Sequence, residues 1–181
     1  MKLCGRMSTR NIMKMNKTFY MRLFLIVAIF AWCALIFIMS GETADVSGER
    51  SEGLSRKIIN AVVSLLGLGN DDKEAAVQFF EHVLRKMAHV FAYFVLAILS
   101  LLLAFTYKCK EYVRVLSVSV FCFIYAQSDE IHQIFVPGRA GSMIDVLIDM
   151  SGVFAGVLLV YLVVFLSSFG KKKTEILLTE Q

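Results

Sequence analysis

The apolar residues of this chain come in long unbroken blocks, not at the three-and-four spacing of a helix with one wet face. Four blocks stand out, at residues 23–39, 87–107, 112 to about 127, and 143–169. A helix crossing a bilayer needs about 20 apolar residues, with about 17 to 25 tolerated and longer runs accommodated by tilt. The second and fourth blocks meet this alone and the first is slightly short. The third has an uncharged core of only 14 residues, 115–128, but counting from Tyr112 to Ile131 gives 20 and leaves Asp129 and Glu130 at the far interface. The pattern predicts an all-α, polytopic membrane protein of four transmembrane helices. A basic region precedes the first block as in a signal peptide, but no small-x-small cleavage pattern follows Met39, so a retained signal anchor is expected.

The stretch from Ser40 to Arg85 reads as structured. Leu54, Ile58, Val62 and Leu65 or Leu66 recur at helical spacing, while Arg56, Lys57, Asn60 and Ser64 occupy another face. That is the pattern of an amphipathic helix lying in the headgroup region. After a turn at 67–70, Asp71 and Glu74 form an Asp-x-x-Glu variant of the capping box, starting a helix that runs through Phe79 and Val83 into the second span.

Composition agrees with the blocks: 57% of the 181 residues are hydrophobic, 19% are charged and one is proline, with a mean hydropathy of +0.67. Soluble domains run roughly 45–50% apolar and about 25% charged. The formal charge of +4 is no nucleic-acid footprint, because the basic residues are segregated along the chain and no DNA- or RNA-reading motif is present. Residues 1–22, the 108–114 loop and the tail after Phe169 together carry twelve basic and three acidic residues; the remainder carries seven basic and twelve acidic. By the positive-inside rule both termini are cytoplasmic. The chain then divides into a basic cytoplasmic segment (1–22), a membrane domain (23–169) and a cytoplasmic tail (170–181). The four cysteines are far apart, without a CxxC pair, so neither a disulfide framework nor a zinc site is expected.

Polar residues inside or beside spans are informative because a charge at the bilayer centre costs about 2.5–3.5 kcal/mol on insertion scales. Three clusters occur, all at the outer ends. In the second span His82, Lys86 (or Arg85), His89 and Tyr93 form a stripe on one helical face. In the third, Asp129, His132 and Gln133 share a face with Glu130 offset by about 100 degrees, until Pro137 and Gly138 end the helix and bring Arg139 to the membrane surface. In the fourth, Asp145, Asp149, Gly152 and Gly156 lie along one face, carboxylates outermost and glycines deeper, where they permit close helix approach. One polar site at the external mouth of the bundle accounts for all three.

These clusters carry a resemblance to the VanZ-like family of bacterial membrane proteins, covering about residues 37–165. The matching patterns are Arg85-Lys86-x-Ala88-His89-x-x-x-Tyr93, Asp129-Glu130-x-His132-Gln133-x-Phe135-x-Pro137-Gly138-Arg139, and Asp145-x-x-x-Asp149-x-x-Gly152-x-x-x-Gly156; Ser40 and the serines at 47, 51 and 55 resemble the family's serine-rich stretch. The middle pattern is highly specific. Family members often have a glutamate just before the tyrosine of the first pattern, and here Ala92 stands in its place. The resemblance implies a bacterial plasma-membrane protein linked to low-level teicoplanin resistance, and hence to the cell envelope or its peptidoglycan precursors.

Several of these residues also have a purely structural explanation. Ser142-x-x-Asp145 is a capping-box variant, Arg85 and Lys86 can snorkel to the water boundary, and a buried ion-pair network joining three helices accounts for Asp129, Glu130, His132 and Gln133 almost as well as chemistry does. Asp149, one turn deeper, has no capping role to explain it.

Three classes of function follow. A binding or protective protein would hold the phosphate of a lipid-linked wall precursor with Arg85, Lys86 and Arg139 and meet sugars or amines with its carboxylates and amides, His89, Gln133 and Asp145 included. A membrane-embedded enzyme would use His132 or His89 as general base oriented by Asp129 or Asp149, with Glu130 in the same cluster, around a divalent cation bound by the carboxylates. A transporter is least favoured, because four spans are few and the polar groups do not extend to the inner end. An enzyme lacks a nucleophile at a recognisable spacing, and between binder and enzyme the sequence is nearly silent.

Overall fold

The protein is described by a computed structural model over residues 9–41, 53, 56–61, 73–137 and 141–179. Four helices follow one another: α1 (Thr9–Ser40), α2 (Lys73–Phe105), α3 (Glu111–Ile134) and α4 (Met143–Thr179). Among the described residues there is no strand. They run up and down one bundle, so that the start of α1, the α2–α3 connection and the C-terminal half of α4 share one end. We call that end basic, and the opposite end acidic.

Segments within α1, α2 and α4 are long and apolar enough to cross a membrane: Lys17–Ser40, Ala75–Phe105 and Met143–Ser168. These make the chain a multi-pass membrane protein in contact with lipid. Phe24, Phe30, Phe154 and Leu158 are among the large side chains left at least three-fifths exposed, as expected where the surrounding solvent is hydrocarbon. The fourth expected span corresponds to α3. Its 24 residues reach about 36 Å at 1.5 Å per residue, but its composition does not meet the same measure, because Arg114 at one end and Asp129 and Glu130 at the other lower its apolar content.

The core explains which helix touches which. Tyr93, Leu96, Ala97 and Leu101 of α2 pack against Val146, Met150 and Val153 of α4, with Val118, Cys122 and Ala126 of α3 and Ile29 and Ile36 of α1 closing the cluster. Gly152 and Gly156 bring α4 onto α2, as the sequence indicated. A Cβ at Gly152 would run into the Val90 carbonyl oxygen, and one at Gly156 would lie 2.7 Å from the Phe94 carbonyl oxygen. Where hydrocarbon surrounds the protein, such backbone contact supplies van der Waals attraction that burial from lipid does not.

Helix α1 is held by directed bonds. Trp32 Nε1 donates to the Ala92 carbonyl at 2.8 Å, and Tyr125 Oη donates to the Cys33 carbonyl at 2.6 Å. At the basic end Arg22 donates to Thr106 Oγ1 at 3.0 Å and to the Thr106 carbonyl at 2.6 Å. Glu111 ties α3 to α4 there, pairing with Arg114 of its own helix and accepting from Tyr161 Oη of α4 at 2.7 Å. Cys33, Cys109 and Cys122 carry free thiols.

Helix α2 runs without a break through Phe79 and Val83 into the second apolar block, as expected. Of the amphipathic helix expected before it, residues 56–61 are helical with Ile58 half-buried and Arg56, Lys57 and Asn60 exposed. Leu54, Val62, Leu65, Leu66, Asp71 and the turn at 67–70 lie outside the described residues, as do Gly138 and Arg139.

Candidate functional site

The three polar clusters converge at the acidic end. Helix α3 delivers Asp129, Glu130 and Gln133, all buried, from its last turns, and Gln133 Nε2 donates to Asp129 Oδ2 at 3.2 Å and to Glu130 Oε1 at 3.4 Å. The helix stops just beyond: Phe135 N–H and Val136 N–H bond to the His132 and Gln133 carbonyls in a tightened last turn before Pro137.

Helix α4 begins against this face. Ser142 Oγ accepts the Ile144 N–H at 3.2 Å as an N-cap. The reciprocal arm of the expected capping box does not come from Asp145. Glu130 Oε2, from the neighbouring helix, accepts the Ser142 N–H at 2.7 Å. Asp145 pairs instead with Lys86 Nζ of α2 at 2.8 Å, with both side chains about one-third exposed. The physical reason is proximity: Gly141 packs so closely on α3 that a Cβ there would lie 2.7 Å from the Glu130 carbonyl oxygen. Glu130 therefore reaches the cap, and Asp145 is free to turn toward α2.

One turn deeper, Asp149 is 1% exposed, and its Oδ1 lies 3.8 Å from His89 Nδ1, within ion-pair range and beyond a hydrogen bond. Asp149 also lies in the field of Asp129, Glu130 and Asp145, and Asp129 in that of His89 and His132. Tyr93, fully buried, is in the field of both Asp129 and Asp149, and fully buried Ser40 at the end of α1 neighbours Asp129. Tyr93 Oη, Ser40 Oγ, Asp129 Oδ1 and Asp149 Oδ2 are buried with no aligned hydrogen-bond partner among the described residues. Buried polar atoms are satisfied in the great majority of cases; the Ser40 hydroxyl faces the Asp129 carboxylate as a donor to an acceptor, so the unfilled demand for hydrogen bonds rests on Tyr93 Oη and Asp149 Oδ2.

The remaining expected residues take different positions. His132 turns toward α1, its ring stacked on Phe37 with centroids 4.0 Å apart and its Nδ1 without a hydrogen-bond partner among the described residues. Arg85 is half-buried and His82 exposed. Arg139 lies outside the described residues. Among the described residues no three His, Cys, Asp or Glu side chains converge in a geometry that would hold a metal ion. The donor set of Asp129 and Asp149 alone is short of a divalent-cation site, since a calcium ion takes six to eight oxygen ligands.

Sequence reasoning did not single out Ser40 as a site residue, although a lone hydroxyl closing an apolar run was a usable signal. Nor did it give Tyr93 a role beyond the stripe. The interhelical cap by Glu130 had no local signal at all.

No curated protein and no solved structure matches the chain. A model of the VanZ/LLP1 family matches residues 24–165, reaching further toward the N-terminus than the quoted patterns and taking in all four helices of the bundle. With Asp129, Asp149, His89 and Tyr93 gathered at one end of a multi-pass helical bundle, and with most of its length matched, the chain belongs to the VanZ/LLP1 family.

Proposed function

We propose that this protein binds the polar part of a lipid-linked cell-wall precursor at the acidic end of its bundle, and that it thereby protects the envelope against teicoplanin. The observation that carries this reading is the pair of buried, unpartnered oxygens Tyr93 Oη and Asp149 Oδ2, set beside the buried Ser40 hydroxyl and Asp129 carboxylate. The two carboxylates accept, so they favour a ligand rich in donors, such as a sugar hydroxyl or an ammonium group. The phosphate would fall to Arg85 and, by its place in the sequence, Arg139, whereas Lys86 is engaged by Asp145. The proposal places the protein in the bacterial plasma membrane with four spans, α3 included, both termini cytoplasmic and the acidic end outside, following the segregation of basic residues.

Expression in a teicoplanin-sensitive bacterial host tests it. The wild-type protein should raise the minimum inhibitory concentration of teicoplanin more than that of unrelated antibiotics. Asp129→Asn and Asp149→Asn, at equal membrane abundance, should not. An unchanged concentration with wild-type protein present in the membrane, or full protection by both variants, refutes the reading.

A second reading has one observation in its favour, the approach of His89 Nδ1 to Asp149 Oδ1. A carboxylate that orients an imidazole is the supporting half of a general-base pair in a hydrolase or transferase. Turnover of lipid-linked wall precursor by the purified protein, with and without chelator, decides it: no product in either arm removes the enzyme.

A further inference from the structure

Between α1, the end of α2 and α3 lies a cleft of about 880 Å³, lined almost wholly by apolar side chains. Helices α1 and α3 barely touch along it, and the Tyr125–Cys33 bond bridges them. On α1 it runs from Ile26 to Ile38, which at 1.5 Å per residue is about 18 Å. That is a little more than one leaflet of a hydrocarbon core about 30 Å thick. The cleft therefore matches one acyl chain in length and in chemistry.

The two ends of the cleft differ in charge, and this decides which way an amphiphile would lie. Phe37 lines it at the acidic end, beneath His132 and the carboxylates. Tyr107, Cys109 and Arg114 line it at the basic end. There Arg22 lies over the Tyr107 ring, 4.1 Å from its centroid, and bonds to Thr106, so its partners place the guanidinium without neutralising it. Lys108 and Lys110 are exposed in the α2–α3 connection that follows Thr106 and Tyr107, Lys110 Nζ lying 5.8 Å from the Tyr112 ring centroid, whereas Arg114 is matched by Glu111. An anionic headgroup is repelled at one end and attracted at the other.

We propose that the cleft holds one acyl chain of an anionic diacyl phospholipid from the leaflet at the basic end, with its phosphate held by Arg22, Lys108 and Lys110. The site is separate from the acidic cluster and independent of the precursor-binding reading.

Native mass spectrometry of the full-length protein in detergent tests this with three probes: phosphatidylglycerol, phosphatidylcholine with the same acyl chains, and undecaprenyl phosphate. Retention of phosphatidylglycerol should exceed that of phosphatidylcholine by about tenfold or more, since each cation near an anionic surface favours binding by roughly fivefold. The triple variant Arg22→Gln, Lys108→Gln, Lys110→Gln should bring the two lipids within about twofold of each other. Ala34→Trp, placed inside the cleft, should reduce retention of both lipids at an unchanged melting temperature. Ser117→Trp on the facing helix repeats that test if the first variant does not fold. Equal retention of the two phospholipids overturns the proposal. So do retention unaffected by either tryptophan, stronger retention of undecaprenyl phosphate, and a dimer that closes the cleft.

Discussion

Glu130 and Asp149 look alike in the sequence, as acids beside apolar runs, but their surroundings separate them. Glu130 accepts the Ser142 amide hydrogen and the Gln133 amide, which makes it the cap of α4 supplied from α3. Glu130→Ala should lower stability by about 1–3 kcal/mol, the usual consequence of leaving a buried amide hydrogen unpaired, whereas Glu130→Gln keeps an acceptor and should lose less. Detergent melting of both variants checks this, and equal melting of Glu130→Ala and wild type would contradict the cap. Asp145→Asn removes only a pair whose partners are both about one-third exposed, so its effect should stay within about 1 kcal/mol. That these acids lie together at one end of the helices was legible from spacing. Their division into cap, ion pair and unpartnered group was not, because it depends on the neighbour that each meets across a helix interface.

At the scale of elements, the glycines and the basic-end tie hold the helices in register. A Cβ at Gly152 meets backbone, which cannot swing aside as a side chain can. Gly152→Ala should therefore cost about 1–3 kcal/mol or more, as overpacking does, and Gly156→Ala less. Melting of the two variants should rank them in that order. Glu111 gives a pH-dependent counterpart. Its hydrogen bond to Arg114, aided by Tyr161, holds its carboxyl below the ordinary value of 4.5. A carboxyl with a depressed folded-state pKa contributes stability that is present above the unfolded value and lost as pH falls through the folded one. Wild-type melting should therefore fall more steeply below about pH 4.5 than that of Glu111→Gln, and parallel curves would show that the tie carries nothing. The apolar blocks announced these helices and the small-residue stripe announced a close approach on α4, but not that α2 would be its partner. The open seam between α1 and α3 had no such announcement, since a cleft is set by where side chains fall short of each other.

For the whole molecule, the bundle brings three separated sequence clusters to one end and Arg22, Lys108 and Lys110 to the other. If that axis is the membrane normal, reporters fused at Asn70 and Gly141 should report outside, and those after Arg22, at Lys110 and at Lys173 inside. An inside signal at Asn70 or Gly141 would break the proposed outer site. The central claim is that the buried oxygens at the acidic end await a ligand and are not a flaw tolerated by a scaffold. Tyr93 separates these directly, because its hydroxyl is buried and has no aligned partner among the described residues. Replacing an unsatisfied hydroxyl by hydrogen costs a scaffold nothing and removes a desolvation penalty, but it takes a contact from a ligand. The deciding measurement is the Tm in detergent of wild type and Tyr93→Phe, each with and without lipid-linked pentapeptide precursor, since a ligand that binds only the folded state raises Tm. The account predicts that Tyr93→Phe alone melts no lower than wild type and that precursor raises Tm for wild type only; an equal rise in both proteins, or no rise in wild type, contradicts it.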